Sequence, residues 1–245
     1  MNKARILSGN TLKIIALVSM LIDHIGVIFF PEALVLRAVG RLAMPIFAFM
    51  ISEGTRYTGS RTRYLLTLSL TGIAIQIPYS LFSGIWHINI FLTFSLSIIL
   101  IYLLDLFKRA LLSQQSLIRK ALSFLPFLLF SALVITVITV QDRVHFDYEL
   151  CGVFAPVFAS IPSLKGAGNN ALMRFDRLGI RVLLSFIPIL LYAIYISSYQ
   201  YFAILSLPLL LLYSGKRGKA RLKYLFYVFY PLHLLVLHGI SLLCA

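Results

Sequence analysis

The chain is a succession of apolar runs, each about as long as a bilayer is thick, and nothing else constrains its fold as strongly. A helix crossing hydrocarbon needs about 20 mainly apolar residues. Backbone groups find no water there, so each segment must satisfy its own N–H and C=O groups as a helix. Nine such runs stand out, at roughly 12–30, 36–53, 64–83, 90–107, 121–140, 150–162, 180–197, 199–213 and 224–243. The sixth is short and holds Pro156 and Pro162, which suits a broken or re-entrant element. Only Ser198 separates the seventh from the eighth, so these form either a tight hairpin or one distorted element. The expected fold is an all-α, polytopic integral membrane bundle of about nine transmembrane helices, a single transmembrane domain over residues 1–245.

Composition supports lipid as the solvent. Hydrophobic residues make up 60% of the 245 and charged residues 12%, against about 45–50% and about 25% in soluble domains. The first run lacks a small-residue cleavage pattern and is long enough to remain as an anchor. Cys151 and Cys244 stand outside any CxxC or Cys/His cluster, so no metal or redox site is expected. The sequence contains no repeat at a fixed period and no low-complexity tract.

The formal net charge of +14 admits two readings, nucleic-acid binding or retention of basic loops at the cytoplasmic surface. Position decides between them. Lys3 and Arg5 precede the first run; Arg56, Arg61 and Arg63 follow the second. Lys108, Arg109, Arg119 and Lys120 follow the fourth; Lys165, Arg174, Arg177 and Arg181 follow the sixth. Lys216, Arg217, Lys219, Arg221 and Lys223 follow the eighth, so 18 of the 22 basic residues fall on alternate loops. The bias predicts the N-terminus inside and the C-terminus outside, with the basic loops against anionic inner-leaflet lipid. Spread over five short segments, these charges form no nucleic-acid face.

Four basic residues lie elsewhere. Arg143 shares an external loop with Asp142, Asp147 and Glu149, where solvation explains it. Lys13 sits near the inner end of the first run, where snorkelling is open to it. Arg37 and Arg41 are four residues apart and project from one helix face. An Arg facing lipid at mid-bilayer costs at least about 2.5 kcal/mol, so the pair indicates a polar interior, an aqueous vestibule or ion pairs with Asp23 or Glu32. Asp23 and His24 are adjacent and point about 100° apart on a helix. Lys13 and His24, eleven residues apart, share a face and are separated by roughly 16 Å along the axis. A His is the natural proton acceptor near neutral pH, and intramembrane ionisable groups are by default functional candidates; structural contacts between helices are the alternative.

The last run adds a second polar cluster in YVFYPLHLLVLHGI. Pro231 frees a backbone carbonyl, and Tyr230 and His233 share a face beside it. Supporting polar positions are Gln76 in QIPYSLF, Asn89 at the start of the fourth run, and Asp147 with Tyr148 before the sixth. Taken singly, each is more often a helix cap or loop anchor than a site.

The runs LKIIALVSMLIDHIGVIFF, LRAVGRLAMPIFAFMISEG, QIPYSLF, FDYELCGVFAP and KYLFYVFYPLHLLVL together resemble the TraX family, in order and across nearly the whole chain. That family takes its name from a conjugation protein associated with N-terminal acetylation of pilin. More distantly, the first span is similar to the membrane acyltransferase superfamily that O-acylates bacterial surface sugars, which carries a basic residue, ten residues and then a His. Lys13 and His24 fit that spacing, with Lys where Arg is usual, and Arg41, Pro45 and Phe47 fit its Arg leading into Pro-x-Phe. The resemblance implies a multi-pass protein of the bacterial cytoplasmic membrane. Its expected activity is acetyl transfer from acetyl-CoA to an amine or hydroxyl acceptor, a pilin N-terminus or a surface glycan. His24 and Asp23 would be catalytic, with Arg41, Arg37 and Lys13 binding the donor or the oxyanion. A small proton-coupled transporter or flippase and a non-catalytic membrane assembly subunit are the alternatives. The expected partners are membrane lipid and an acceptor, not nucleic acid.

Overall fold

Pro45 explains the first departure from a row of unbroken helices. In the computed structural model, which describes residues 5–84, 86–140, 144–163, 176–219 and 222–244, the second apolar run is not one helix. It divides into α2 (Leu34–Gly40) and α3 (Ala43–Tyr57), interrupted at Arg41 and Leu42. Proline has no N–H to give the carbonyl four residues back, and its ring crowds that carbonyl. Four residues before Pro45 stands Arg41, whose own N–H closes α2 on the Arg37 carbonyl at 3.1 Å. The break places an arginine at the end of a short helix inside an apolar run.

Among the described residues, seven helices are long and apolar enough to cross a bilayer: Gly9–Phe29 (α1), Leu34–Tyr57 (α2 with α3), Arg61–Leu81 within α4 (Arg61–Ser83), Ile90–Leu112 (α5), Leu117–Val140 (α6), Leu178–Tyr195 (α8) and Tyr224–Cys244 within α10 (Lys223–Cys244). The molecule is therefore a multi-pass helical membrane protein. The sixth and eighth of the nine apolar runs form shorter elements: α7 (Glu149–Ser160), and a 3-10 helix (Ser198–Ser206) continued by α9 (Leu207–Leu211). Among the described residues the strands are β1 (Trp86–Ile88) and β2 (Val144–Phe146), a parallel pair with His87 opposite His145. Lys3, Asp142, Arg143, Lys165, Arg174 and Arg221, read above as loop charges, lie outside the described residues.

The chain packs as two compact units, one of residues 1–50 with 189–245 and one of residues 51–188, the divisions falling inside α3 and α8. In the terminal unit, Ser8 caps α1 by accepting from the Thr11 N–H at 3.1 Å. Glycine lets α1 and α2 touch. A Cβ at Gly40 would stand 2.2 Å from the Asp23 Cβ, and one at Gly26 2.8 Å from the Leu36 Cβ. Lys13 lies by Phe226 and His24 by His233, so α1 and α10 run in the same direction.

The central unit is built on α5. Leu100, Ile101, Leu104, Val134, Val153 and Val157 from α5, α6 and α7 form its apolar core. Ser97 Oγ donates to the Val153 carbonyl at 2.8 Å near the start of α7. Lys108 Nζ donates to the Ser160 and Ser163 carbonyls, each at 2.8 Å, at its end. The last carbonyls of a helix need outside donors, and here a buried lysine supplies them. Much of the apolar surface of α6 and α10 faces outward, including Leu117, Ile118, Leu129, Leu235 and Leu243. Such surface suits hydrocarbon and not water.

Candidate functional site

Within the terminal unit, two groups of polar side chains meet on successive faces of α1. The first is an ion-pair triad. Asp23, 7% exposed, accepts from Arg37 Nη1 at 3.0 Å on one oxygen and from Arg41 Nη2 on the other. The bareness of Gly40 is what lets α2 come close enough to bring both guanidiniums to one carboxylate. Two cations against one anion leave the triad with a net positive charge.

The second group is a pair of imidazoles. His24 Nδ1 lies 2.8 Å from the Met20 carbonyl, and His233 Nδ1 lies 2.8 Å from the Phe229 carbonyl. Each is one helical turn back along its own helix. A carbonyl only accepts, so each contact requires the hydrogen to be on Nδ1. The Nε2 of His233 is then a lone pair, and it stands 3.3 Å from His24 Nδ1. The His24 Nδ1–H is thus shared between the Met20 carbonyl and His233. In the neutral ring with its hydrogen on Nδ1, His24 Nε2 carries the lone pair, and it has no hydrogen-bond partner among the described residues. The rings meet edge to face with centroids 4.9 Å apart. Phe229 stacks on His233 at 5.1 Å and Tyr230 meets it edge-on at 5.8 Å.

The structure thus joins Arg37, Arg41 and Asp23, and joins His24, His233 and Tyr230. Asp23 turns to α2 and not to His24, as neighbours 100° apart on a helix must find different partners. Lys13 stands apart from both groups, its Nζ 5.2 Å from the centre of the Phe226 ring.

The other predicted positions lie in the central unit and have partners of their own. Gln76 Oε1 accepts from the Asn89 N–H at 3.0 Å and from Asn89 Nδ2 at 3.1 Å, while Gln76 Nε2 donates to Ser80 Oγ at 2.8 Å. Asn89 Oδ1 caps α5 by accepting from the Phe91 and Leu92 N–H groups. These residues hold the turn between α4 and α5. Asp147 pairs with His87 Nε2 at 2.7 Å, and its own N–H donates to the Ile88 carbonyl at 2.9 Å. The Asp147 hydrogen bond raises the His87 pKa above 6.5 against a partial loss of hydration. Tyr148 and Glu149 follow with φ of 58° and 47°, two successive left-handed non-glycine residues.

Sequence reasoning missed an ionic network in this unit. Arg181 pairs with Glu53 at 2.5 Å and Arg56 with Asp176 at 2.7 Å. Asp105 takes Arg61 at 2.6 Å and Lys108 at 3.3 Å. Arg56, Arg61, Lys108 and Arg181 read as loop charges for orientation, yet Lys108 is 5% exposed and Arg181 3%. A signal was present in the three-residue spacing of Asp105 and Lys108, which puts both on one helix face. Gln200 on the 3-10 helix was also missed; it is buried within the terminal unit.

The fold and these clusters define a class: a multi-pass membrane protein with ionisable side chains gathered inside its helices. Its family follows from comparison. The family model described as TraX protein matches residues 8–241, and the chain belongs to the TraX family. It is similar to an uncharacterized protein of Rickettsia prowazekii (strain Madrid E), 38% identical over 66 residues, or 27% of this chain and 25% of that protein. It is also similar to a probable fimbrial assembly protein FimC, serogroup H1, of Dichelobacter nodosus, 34% identical over 77 residues, or 30% of this chain and 32% of that protein. The matches therefore span a quarter to a third of these relatives' lengths. No solved structure matches.

Proposed function

We propose that this chain is an integral membrane acetyltransferase that moves an acetyl group from acetyl-CoA to an amine or hydroxyl acceptor, a pilin N-terminus or a cell-surface glycan. One observation carries the reading: His24 Nδ1 is engaged by the Met20 carbonyl and by His233, which turns His24 Nε2 out as the ring nitrogen without a partner among the described residues. Membership of the TraX family and a relative named as a probable fimbrial assembly protein favour a pilus-associated acceptor.

In the proposed reaction the acceptor's N–H or O–H approaches His24 Nε2. As the nucleophile attacks the thioester carbonyl, its proton passes to Nε2. His24 is then an imidazolium whose Nδ1–H still points at the His233 lone pair, an orienting role of the kind the third member of a catalytic triad plays. Collapse of the tetrahedral intermediate breaks the C–S bond. His24 returns the proton to the leaving thiolate, and the products are the acetylated acceptor and free CoA. The net positive charge of Asp23, Arg37 and Arg41 suits the oxyanion or the donor's phosphates. Lys13, under Phe226, suits a more distant contact with the donor.

The proposal includes a bacterial cytoplasmic membrane, an inside N-terminus and nine crossings. The alternating basic loops support the orientation. One crossing beyond the seven long helices is favoured by α7, whose flanks lie against α5 from Thr93, beside Gly152, to Lys108, beside Ser163. Fifteen residues of helix separate those α5 positions, about 22 Å, and the twelve residues of α7 itself rise about 18 Å, over half of a bilayer's hydrocarbon depth.

The test is acetyl transfer from labelled acetyl-CoA to membrane extract by purified protein in lipid nanodiscs. Wild type is expected to label an acceptor and His24→Ala to lose about 100-fold or more. His233→Gln, which keeps a hydrogen-bonding side chain without the ring lone pair, is expected to lose less. An unchanged rate in His24→Ala would remove His24 from the mechanism.

A further inference from the structure

The 3-10 helix Ser198–Ser206 is nine residues long, where such helices seldom exceed about four. With 3.0 residues per turn, side chains three apart eclipse one another. Gln200, Ala203 and Ser206 accordingly form one row, at 1%, 0% and 0% exposure. Tyr199, Tyr201, Phe202, Ile204 and Leu205 between them are 41–51% exposed. The large apolar side chains thus face outward, and the small and polar ones face into the terminal unit. Ser206 satisfies its hydroxyl locally by donating to the Ala203 carbonyl at 2.7 Å. Gln200 does not: Oε1 and Nε2 are both buried, and neither has a hydrogen-bond partner among the described residues.

A buried amide with neither group paired is rare in native folds and destabilising. The buried amides of Gln76 and Asn89 show what this chain does with such groups elsewhere, since both are bonded to neighbours. The other members of the row, Ala203 and Ser206, are small side chains. The 3-10 helix packs in the same unit as α2, the element that carries Arg37 and brings in Arg41.

We propose that Gln200 is the polar contact of a substrate pocket, and that the bound group is a secondary amide, whose N–H donates to Oε1 and whose C=O accepts from Nε2. The choice of substrate rests on the acetyl-transfer reading. That reaction offers the amide chemistry from two sources: the pantetheine arm of the acetyl donor and the peptide backbone of a polypeptide acceptor.

Full-length protein in nanodiscs, wild type and Gln200→Met, is compared by thermal melting and by calorimetric titration. The probes are coenzyme A, adenosine 3′,5′-bisphosphate, which lacks the amide-bearing arm, and dialanine amide. Without ligand, Gln200→Met is expected to melt about 3 °C higher, because the orphaned amide is gone. Its affinity is expected to fall about tenfold. A fall for coenzyme A with the bisphosphate unchanged assigns the amide to the donor; a fall for dialanine amide assigns it to the acceptor. If methionine is not accommodated, Gln200→Asn keeps the polarity, withdraws the amide by one carbon and is expected to show the same loss. Failure of both amide probes to bind wild type, or unchanged affinity of both in the variants, overturns the proposal. A Gln200-dependent probe in a protein without transferase activity leaves this site standing and removes the enzyme reading. Full transfer activity with an unchanged KM in Gln200→Met does the reverse.

Discussion

The two units bury charged and polar groups in opposite ways. In the central unit the charged groups close on one another: Glu53 meets Arg181, Asp176 meets Arg56, and Asp105 meets Arg61 and Lys108, while the Ser131 hydroxyl is a buried group left without a hydrogen-bond partner among the described residues there. Lys108 and Arg181 also donate to main-chain carbonyls, of Ser160 and Ser163 and of Ala159. These groups join α3, α5, α7 and α8, and their hydrogen bonds are used in doing so. In the terminal unit the imidazole pair ends in a ring nitrogen, and Gln200 in an amide, that have no hydrogen-bond partner among the described residues. A network that is complete serves architecture. Polar groups left incomplete inside a membrane protein mark the place where another molecule completes them.

The sharpest way to break this contrast is to open the closed network. Arg181→Met is expected to leave Glu53 buried without its ion-pair partner, at a cost of about 3–5 kcal/mol. Melting is expected to fall by about 10 °C, with purified survivors keeping their acetyl-transfer rate. The double variant Glu53→Leu/Arg181→Met is expected to recover most of the loss, because an apolar pair of similar volume can replace a buried ion pair. The complementary change in the terminal unit, His24→Ala, is expected to do the opposite: a loss of about 100-fold in rate, worth about 2.7 kcal/mol, with melting nearly unmoved. If both variants lost stability and activity together, the division into architecture and chemistry would fail.

How much of this was legible in the sequence follows from the range of each interaction. The apolar runs are local, and each appears as helical structure, the second divided into α2 and α3 and the eighth into a 3-10 helix and α9. Pro45 was visible, but its effect appears four residues upstream, at the Arg41 break. The Asp23 triad was within reach, since Arg37 and Arg41 share a helix face close in sequence to Asp23. The imidazole pair was not, because 209 residues separate His24 from His233 and nothing local fixes which helices meet. His87 carries no periodicity because it lies in a three-residue strand, and only its register opposite β2 brings it beside Asp147. Gln200 lies among tyrosines and was not singled out. Its burial depends on a 3-10 repeat of three, which the 3.6-residue period of an α-helix conceals.

Backbone strain adds a smaller test of the central unit. Glu149 holds φ at 47° directly after Tyr148 at 58°, a conformation that costs a residue with a Cβ about 1–2 kcal/mol and glycine almost nothing. Glu149 also places an acid in the first turn of α7, worth about 0.3–1 kcal/mol. Glu149→Gly is therefore expected to stabilise by about 1 kcal/mol net, a rise of a few degrees in melting temperature. Glu149→Ala, which loses the acid and keeps the strain, is expected to lower it. The opposite signs are the measurement; a fall in both would mean that the turn is not strained.

The smallest expected effect is a pH dependence at the β1–β2 pair. His87 has a pKa raised above 6.5, chiefly by its hydrogen bond to Asp147. A raised pKa means the folded state binds the proton more tightly than the unfolded chain does. The stabilisation from the pair is therefore complete below about pH 6.5 and is lost as pH rises through the higher folded value. Half-exposed, the pair is screened by solvent, so the slope is expected to be shallow and to flatten further in high salt. Melting measured from pH 5.5 to 8.5 should fall in wild type by more than in His87→Gln, which keeps a hydrogen bond to Asp147 and cannot titrate. Equal slopes in the two proteins would show that the proton on His87 contributes nothing to holding β1 against β2.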